Sequence, residues 1–361
     1  MDTLTHALTG ALLARAVVAR PKTPDGAAAA AGLAPWQAVV ATAAAAAFPD
    51  IDAVAQLAGD FAYLRHHRGI THSLLLAPLW AALLALLLSR AFRVTRHPGG
   101  WRRLYGLMLG GLLIHLAGDW ITQFGTLLLD PLSDQRFGLG AVFIIDLVLT
   151  GLVVAALLAS AVWTRHRWPA WVGGVAVVGW VLVCWTGRQE ALEVGRQYAA
   201  AQGLQAQGID AMARPASPFN WTVVVEEGGR YHLAHVNTRR TAPLVASADD
   251  SLIRRFSAPY LPRHQLQWQV VERFGGPGTP AWVREAWGHE SLATFRWFAQ
   301  VPALAKVVDG APEGRRCAVF EDLRFRTPGR AQVPFRYGLC LAPDGQAPLR
   351  VRLDGERLVA L

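Results

Sequence analysis

His115 and Asp119 stand four residues apart in Leu112-Leu-Ile-His115-Leu-Ala-Gly-Asp119-Trp-Ile-Thr-Gln123, near the end of a run apolar enough to span a membrane. Residues at i and i+4 share one helix face, so this imidazole and carboxylate can address one object. Ionisable groups in a membrane helix are costly and mark function. Imidazole with carboxylate is the ligand set of zinc and similar divalent metals. The chain holds more of both: His6, the pair Asp50 and Asp52 directly after Pro49, and His66-His67-Arg68-Gly69-Ile70-Thr71-His72-Ser73. Such a set suits one ion or a bridged pair. In a pair, ions about 3.5–4 Å apart stabilise the attacking and leaving oxygens of phosphoester hydrolysis. Arg68 carries a planar fork suited to phosphate, and Thr71, Ser73 and Gln123 are placed to orient ligands or substrate.

These residues need elements to position them. Composition changes along the 361 residues: Ala, Leu, Val, Gly and Trp dominate to about residue 187, and a soluble pattern follows. Apolar runs at 3–20, 27–48, 74–92, 104–123, 138–163 and 169–187 predict about six membrane or membrane-embedded helices, with 74–92 long enough to cross. Pro21, Pro24 and Gly26 break the first, and Phe48-Pro49 ends the second. Residues 53–71 form a more polar link. The expected fold is therefore an α-helical membrane bundle over 1–187, a polar connecting helix over 188–214, and a small β-rich extramembrane domain over 215–361. Trp221–Glu226, Tyr231–Val236, Gln267–Glu272, Cys317–Phe320 and Val333–Tyr337 read as its strands, divided by Gly/Pro turns.

Charge sets the orientation. Arg90, Arg93, Arg96, Arg102 and Arg103 form one basic loop and Arg165-His166-Arg167 another, and positive loops stay in the cytoplasm. Arg20 and Lys22 then place the N-terminal side of the first helix outside. His6, Asp50, Asp52, His66, His67, His72, His115 and Asp119 all fall on the outer face in an orientation set by Lys and Arg alone. The β-rich domain falls outside too. Asp146, about eight residues into the 138–163 run, would lie roughly 12 Å deep at ~1.5 Å per residue. There it could meet His115, or serve as a structural partner of an Arg or His.

Blander roles exist for each residue. His6 can be an interfacial histidine, Asp50 and Asp52 helix-ending caps, and His115 with Asp119 an intramembrane hydrogen-bonded pair. His66 is the expected bystander of its group. Asp130 and Asp134 read as solvated, His97 and His166 as companions of loop arginines, and His232, His235, His264 and His289 as scattered. Cys184 reads as a small buried residue. Cys317 and Cys340 can pair if their domain lies outside the cytoplasm, or stay unpaired. The formal charge of +9 follows from membrane topology, so nucleic-acid binding is not expected. Trp101, Trp120, Trp163, Trp168, Trp171 and Trp185 suit an aromatic belt. Asp2 and His6 stand where a signal peptide would be basic, so no cleavage is expected. No Walker A, dinucleotide fingerprint or CxxC pair is present.

Taken in order, Thr5-His6-x3-Gly10, Pro49-Asp50-Ile-Asp52, His67-Arg-Gly-Ile-Thr-His72-Ser73 and His115-x3-Asp119 resemble the YdjM-like family of bacterial inner-membrane proteins, over about residues 1–165. Members are described as membrane-bound metal-dependent hydrolases, which implies a multi-pass inner-membrane location and a bound metal. His115-Leu-Ala-Gly-Asp119-x3-Gln123 is more distantly similar to a helix of zinc-dependent phospholipase C and the P1-type nucleases. That similarity implies His115 and Asp119 as zinc ligands, with His6, Asp50 or Asp52, and His72 as partners. After Gln123 the chain departs from that pattern: Gly125 and Thr126 stand where a further His is due, so one or two ions are expected, not three. The expectation is a phosphoester hydrolase, its substrate a membrane lipid or another phosphoester, with a divalent ion (zinc) at the periplasmic membrane face and a periplasmic C-terminal domain. His6, Asp50, Asp52, His67, His72, His115 and Asp119 would hold metal; Asp50, Asp52 or Asp146 would act as base, and Arg68 would bind phosphate. The alternatives are a non-catalytic metal-binding or transport protein, and a scaffold whose β-rich domain binds a partner.

Overall fold

The computed structural model describes residues 1–18, 33–93, 100–311, 314–330, 332–342 and 346–361. Pro21, Pro24, Gly26, His97 and the charges at Arg20, Lys22 and Arg96 lie outside them. The chain divides into two compact units: Met1–Val54 with His66–Thr186, and Ala55–Arg65 with Gly187–Leu361.

The first unit is helical. Helices span Thr3–Val17, Pro35–Ala47, Ala77–Ala91, Gly100–Trp120 and Leu147–Val162, and the first part of Trp168–Gln202 completes it. Small residues let three of these helices touch closely. A Cβ on Gly10 would lie 2.6 Å from Ala46 Cβ, and one on Gly111 would lie 2.9 Å from Ala45 Cβ. Pro35–Ala47 is therefore held between Thr3–Val17 and Gly100–Trp120, in the small-residue manner of membrane helices. Ala38, Ala41, Ala45, Ala81, Ala85, Leu104, Met108 and Leu112 fill one core. Leu12, Ala16, Leu149, Val153, Ala156 and Cys184 fill another. Leu79, Leu87, Leu158, Val172, Val175 and Leu182 are exposed, an apolar exterior of the kind that meets lipid or a partner.

The expectation of about six membrane helices needs correction. Among the described residues two helices are long and apolar enough to cross: Pro35–Ala58, which runs on into 3-10 turns, and Trp168–Gln202. A third arises only if Asp60–His72 and Ala77–Ala91, bent by 77°, count as one span. Thr3–Val17 and Ala77–Ala91 have 15 residues each and Leu147–Val162 has 16. At ~1.5 Å per residue these fall short of the roughly 30 Å hydrocarbon layer. Gly100–Trp120 has the length, but Arg102, Arg103, His115 and Asp119 dilute its hydropathy. The 138–163 run becomes helical only at Leu147.

The second unit holds two antiparallel sheets, β1-β2-β3-β4 and β5-β6-β7-β8-β9, each in sequence order. The first comprises Gly208–Ala213, Asn220–Glu227, Arg230–Asn237 and Gln269–Glu272. The second comprises Pro302–Ala311, Arg315–Asp322, Tyr337–Leu341, Leu349–Asp354 and Arg357–Ala360. Gly228 and Gly229, at φ 57° and 81°, join β2 to β3 in the left-handed two-residue turn that matches strand twist. Strands begin before residue 215, since the helix ends at Gln202 and β1 starts at Gly208. Val333–Arg336 precedes β7 without joining it; Pro334 has no N–H to give a ladder. Cys317 faces Cys340 across β6 and β7, and the two form a disulfide. Ala55–Arg65 packs here as well: Asp60 accepts from Arg352 at 2.7 Å and Phe61 meets Tyr337 edge-on.

Candidate metal centre

Three elements of the helical unit converge on one point. His115 and Asp119 lie one turn apart on Gly100–Trp120, both fully buried. His72 ends the 3-10 turn Ile70–His72 and is also fully buried. Asp50 sits where Pro35–Ala47 tightens into the 3-10 run Phe48–Ala58. Pro49 lacks an N–H and cannot extend the α-helical ladder. With three residues per 3-10 turn, side chains two apart diverge. Asp50 therefore faces the buried histidines directly, and Asp52 approaches from another side.

His72 Nε2 lies 2.9 Å from His115 Nε2. Asp119 Oδ2 lies 3.3 and 3.5 Å from these two nitrogens, and Asp50 Oδ1 lies 3.7 and 3.8 Å from them. Ligands at ~2.0–2.1 Å from a tetrahedral ion stand roughly 3.3 Å apart, so this spacing suits one small divalent cation. The outer nitrogens are held: His115 Nδ1 by Ala46 O at 2.6 Å, and His72 Nδ1 by Asp52 Oδ2 at 3.0 Å. With Nδ1 donating in both rings, the two Nε2 lone pairs face each other, an arrangement a shared cation relieves. Outer hydrogen bonds of this kind orient metal-binding histidines. Asp119 Oδ2 is buried without a hydrogen-bond partner. The donor set thus fits a divalent metal, with Asp50, His72, His115 and Asp119 as the residues able to hold it.

The model of the YdjM inner membrane protein family matches residues 1–191, which include this whole centre. The chain belongs to that family. It is also similar to the uncharacterized protein YfhP of Bacillus subtilis (strain 168), with 28% identity over 163 residues. That match covers 45% of this chain and 46% of the relative, so the chain spans about half of the relative's length. No solved structure matches.

The other candidate residues surround the YdjM-family centre in distinct ways. His6 stacks on His115 with ring centroids 3.7 Å apart, and its Nε2 lies 3.1 Å from Asp119 Oδ1. Asp52 accepts from His67 Nδ1 at 2.8 Å, from Arg68 N at 2.8 Å and from Thr71 Oγ1 at 3.0 Å. His67 therefore reaches the centre through Asp52. Arg68, only 2% exposed, places NH2 2.9 Å from Asp119 Oδ1 and donates from NH1 to Thr122 Oγ1 at 3.1 Å. His66 is exposed at a helix end. Ser73 donates to the carbonyl of Asp130, anchoring the loop that follows His72.

Asp146 is not among the converging side chains. It caps Leu147–Val162, accepting from Val148 N and Leu149 N at 2.9 Å, and its other oxygen accepts from Trp180 Nε1 at 3.0 Å. It stands at the start of its helix, not a turn or two inside. Other contributors were not legible in the sequence. Thr3 Oγ1 donates to Asp50 Oδ2 at 2.6 Å, and the Ala46 carbonyl holds His115. A threonine three residues from His6 was a weak signal, and a backbone carbonyl leaves none.

Proposed function

We propose that this protein is a membrane-bound hydrolase of phosphoester bonds, with phospholipid as the favoured substrate class and a divalent metal, zinc by its mixed imidazole–carboxylate donors, at its centre. The observation that carries this is the set of four ligand atoms, on His72, His115, Asp50 and Asp119, with closest separations of 2.9–3.8 Å. A divalent ion held there supplies Lewis acidity to a phosphoryl oxygen and acidifies water. Asp50, its side chain 12% exposed, is the most accessible of the four and the one placed to accept a proton from water or substrate. Thr3 fixes its other oxygen. Asp52 holds His72 and His67 in the ring orientations the centre needs. The buried walls exclude bulk water from the reacting groups.

In this reading the chain crosses the inner membrane more than once and its β-rich unit is periplasmic. The basic loops support that orientation. The Cys317–Cys340 disulfide supports it independently, because structural disulfides persist in oxidising compartments. Elemental analysis of the detergent-purified chain and hydrolysis of phospholipid vesicles and a generic phosphodiester test the function. The expected result is stoichiometric divalent metal and hydrolysis, both lost in His115→Ala, with hydrolysis alone lost in Asp50→Asn if its metal is retained. Metal-free protein overturns the reading. Metal without hydrolysis of any phosphoester leaves the non-catalytic metal-binding alternative in its place.

A further inference from the structure

The two oxygens of Asp119 serve different neighbours. Oδ2 faces His72 and His115 at 3.3 and 3.5 Å, within the four-residue ligand set. Oδ1 faces His6 Nε2 at 3.1 Å and the Arg68 guanidinium at 2.9 Å, and the Met1 amino group also bonds it. In a two-metal site a shared carboxylate gives one oxygen to each ion, with the ions about 3.5–4 Å apart. Asp119 is oriented as such a bridge, yet a guanidinium occupies the side where a second ion would bind. That group cannot give up its proton.

Arg68 is held there firmly. Its backbone N–H donates to Asp52, NH1 donates to Thr122, and its guanidinium lies 4.8 Å from the Phe124 ring centre. Its backbone is left-handed at φ 60°, a conformation a non-glycine residue keeps only where its surroundings impose it. Both terminal nitrogens of its fork have a protein partner, Thr122 Oγ1 and Asp119 Oδ1.

We propose, resting on the metal-centre reading above, that the centre takes one divalent ion and that Arg68 stands in for the second. His6 and Asp119 Oδ1 would otherwise offer a second ion an imidazole and a carboxylate oxygen. The guanidinium neutralises Asp119 from that side, and its fixed charge repels a further cation.

The test is cobalt loading of the full chain in detergent, read as metal per chain after gel filtration and as electron paramagnetic resonance. The expected result is one cobalt per chain and an uncoupled signal, even from excess metal. Two coupled ions per wild-type chain overturn the proposal while leaving the metal centre standing; no bound metal overturns both. Arg68→Met is expected to take up a second cobalt, coupled to the first. A monodisperse Arg68→Met protein that stays at one ion removes Arg68 from the explanation. If that variant does not fold, Arg68→Lys tests the same point: it keeps the charge and is expected to hold one ion, and two would overturn the proposal.

Discussion

Each unit of this molecule buries an arginine against an aspartate, and the two pairs are finished differently. In the β-rich unit, Asp322 accepts from Gln300 N, Val301 N, Arg324 N and Arg324 Nε, and Arg324 donates onward to the Phe298 carbonyl. Both carboxylate oxygens are spoken for. In the helical unit, Arg68 meets Asp119 at a similar distance. There Asp119 Oδ2 and His6 Nδ1 stay buried without hydrogen-bond partners, beside two histidine nitrogens 2.9 Å apart. Buried polar atoms are nearly always paired, and those that are not call for a reason. A satisfied pair is architecture. An unsatisfied one, rich in metal-binding donors, is a site.

Asp322→Ala removes the carboxylate that neutralises the buried Arg324, which costs about 3–5 kcal/mol. Thermal unfolding of the full chain should show the loss, and metal content in the folded fraction should not change. A variant that unfolds no earlier but binds less metal would reverse the assignment of the two pairs.

Acid tests the same unit next. Burial first, then the charges of Arg214 and Arg326, lowers the pKa of His235 from 6.5 to about 4. Its Nδ1 is hydrogen-bonded to Thr222 Oγ1 at 2.9 Å. The folded state thus keeps the ring neutral where the unfolded chain protonates it. Stability is unaffected above pH 6.5 and falls as pH drops from 6.5 towards 4, by up to about 3 kcal/mol. Denaturant titrations across that range should show the slope, and His235→Gln should flatten it. An equal slope in that variant would assign the acid sensitivity to other groups.

Much of the centre was legible in the sequence because its signals are local. His115 and Asp119 share a face by spacing alone, and His72 and Asp50 adjoin a Gly turn and a Pro. The choice between Asp50 and Asp52 was not legible, because it depends on the chain tightening to 3-10 geometry at Phe48. Apolar runs also mark composition more faithfully than helix ends. Residues 138–146 are apolar enough to read as helix, yet the helix starts only when Asp146 caps it. In the β-rich unit, Leu349–Asp354 was not among the expected strands, although it alternates Leu, Arg, Val, Arg, Leu, Asp. β1, Gly208–Ala213, has little β-branched character and owes its form to pairing with β2. The docking of Ala55–Arg65 onto the second unit depends on partners nearly 300 positions away, such as Arg352 for Asp60, and no local pattern announces it.

Inside the centre, Asp52 is a satisfied carboxylate beside an unsatisfied one. It accepts from His67, Arg68 and Thr71 and holds His72 Nδ1 at 3.0 Å. If it orients ligands without being one, Asp52→Asn should weaken metal binding by about 10–100-fold. Calorimetric titration of the stripped protein measures this. A loss as complete as that in His115→Ala would make Asp52 a ligand.

The smallest effect should come from Asp146, the carboxylate that the sequence left able to meet His115 or to serve as a structural partner. Its bonds to Val148 N and Leu149 N make it a helix cap, and Trp180 takes its remaining oxygen. Removing such a cap with Asp146→Ala costs about 1 kcal/mol, visible as a modest fall in melting temperature. Asp146→Asn keeps a capping oxygen, so it should melt close to the unaltered protein. Neither change should alter metal affinity, because the side chain satisfies its own helix and its neighbour's indole. The asparagine variant decides the matter, since it removes charge while leaving the cap. A drop in metal affinity there would mean that the centre feels the Asp146 charge, and that a fully partnered carboxylate can still belong to a site.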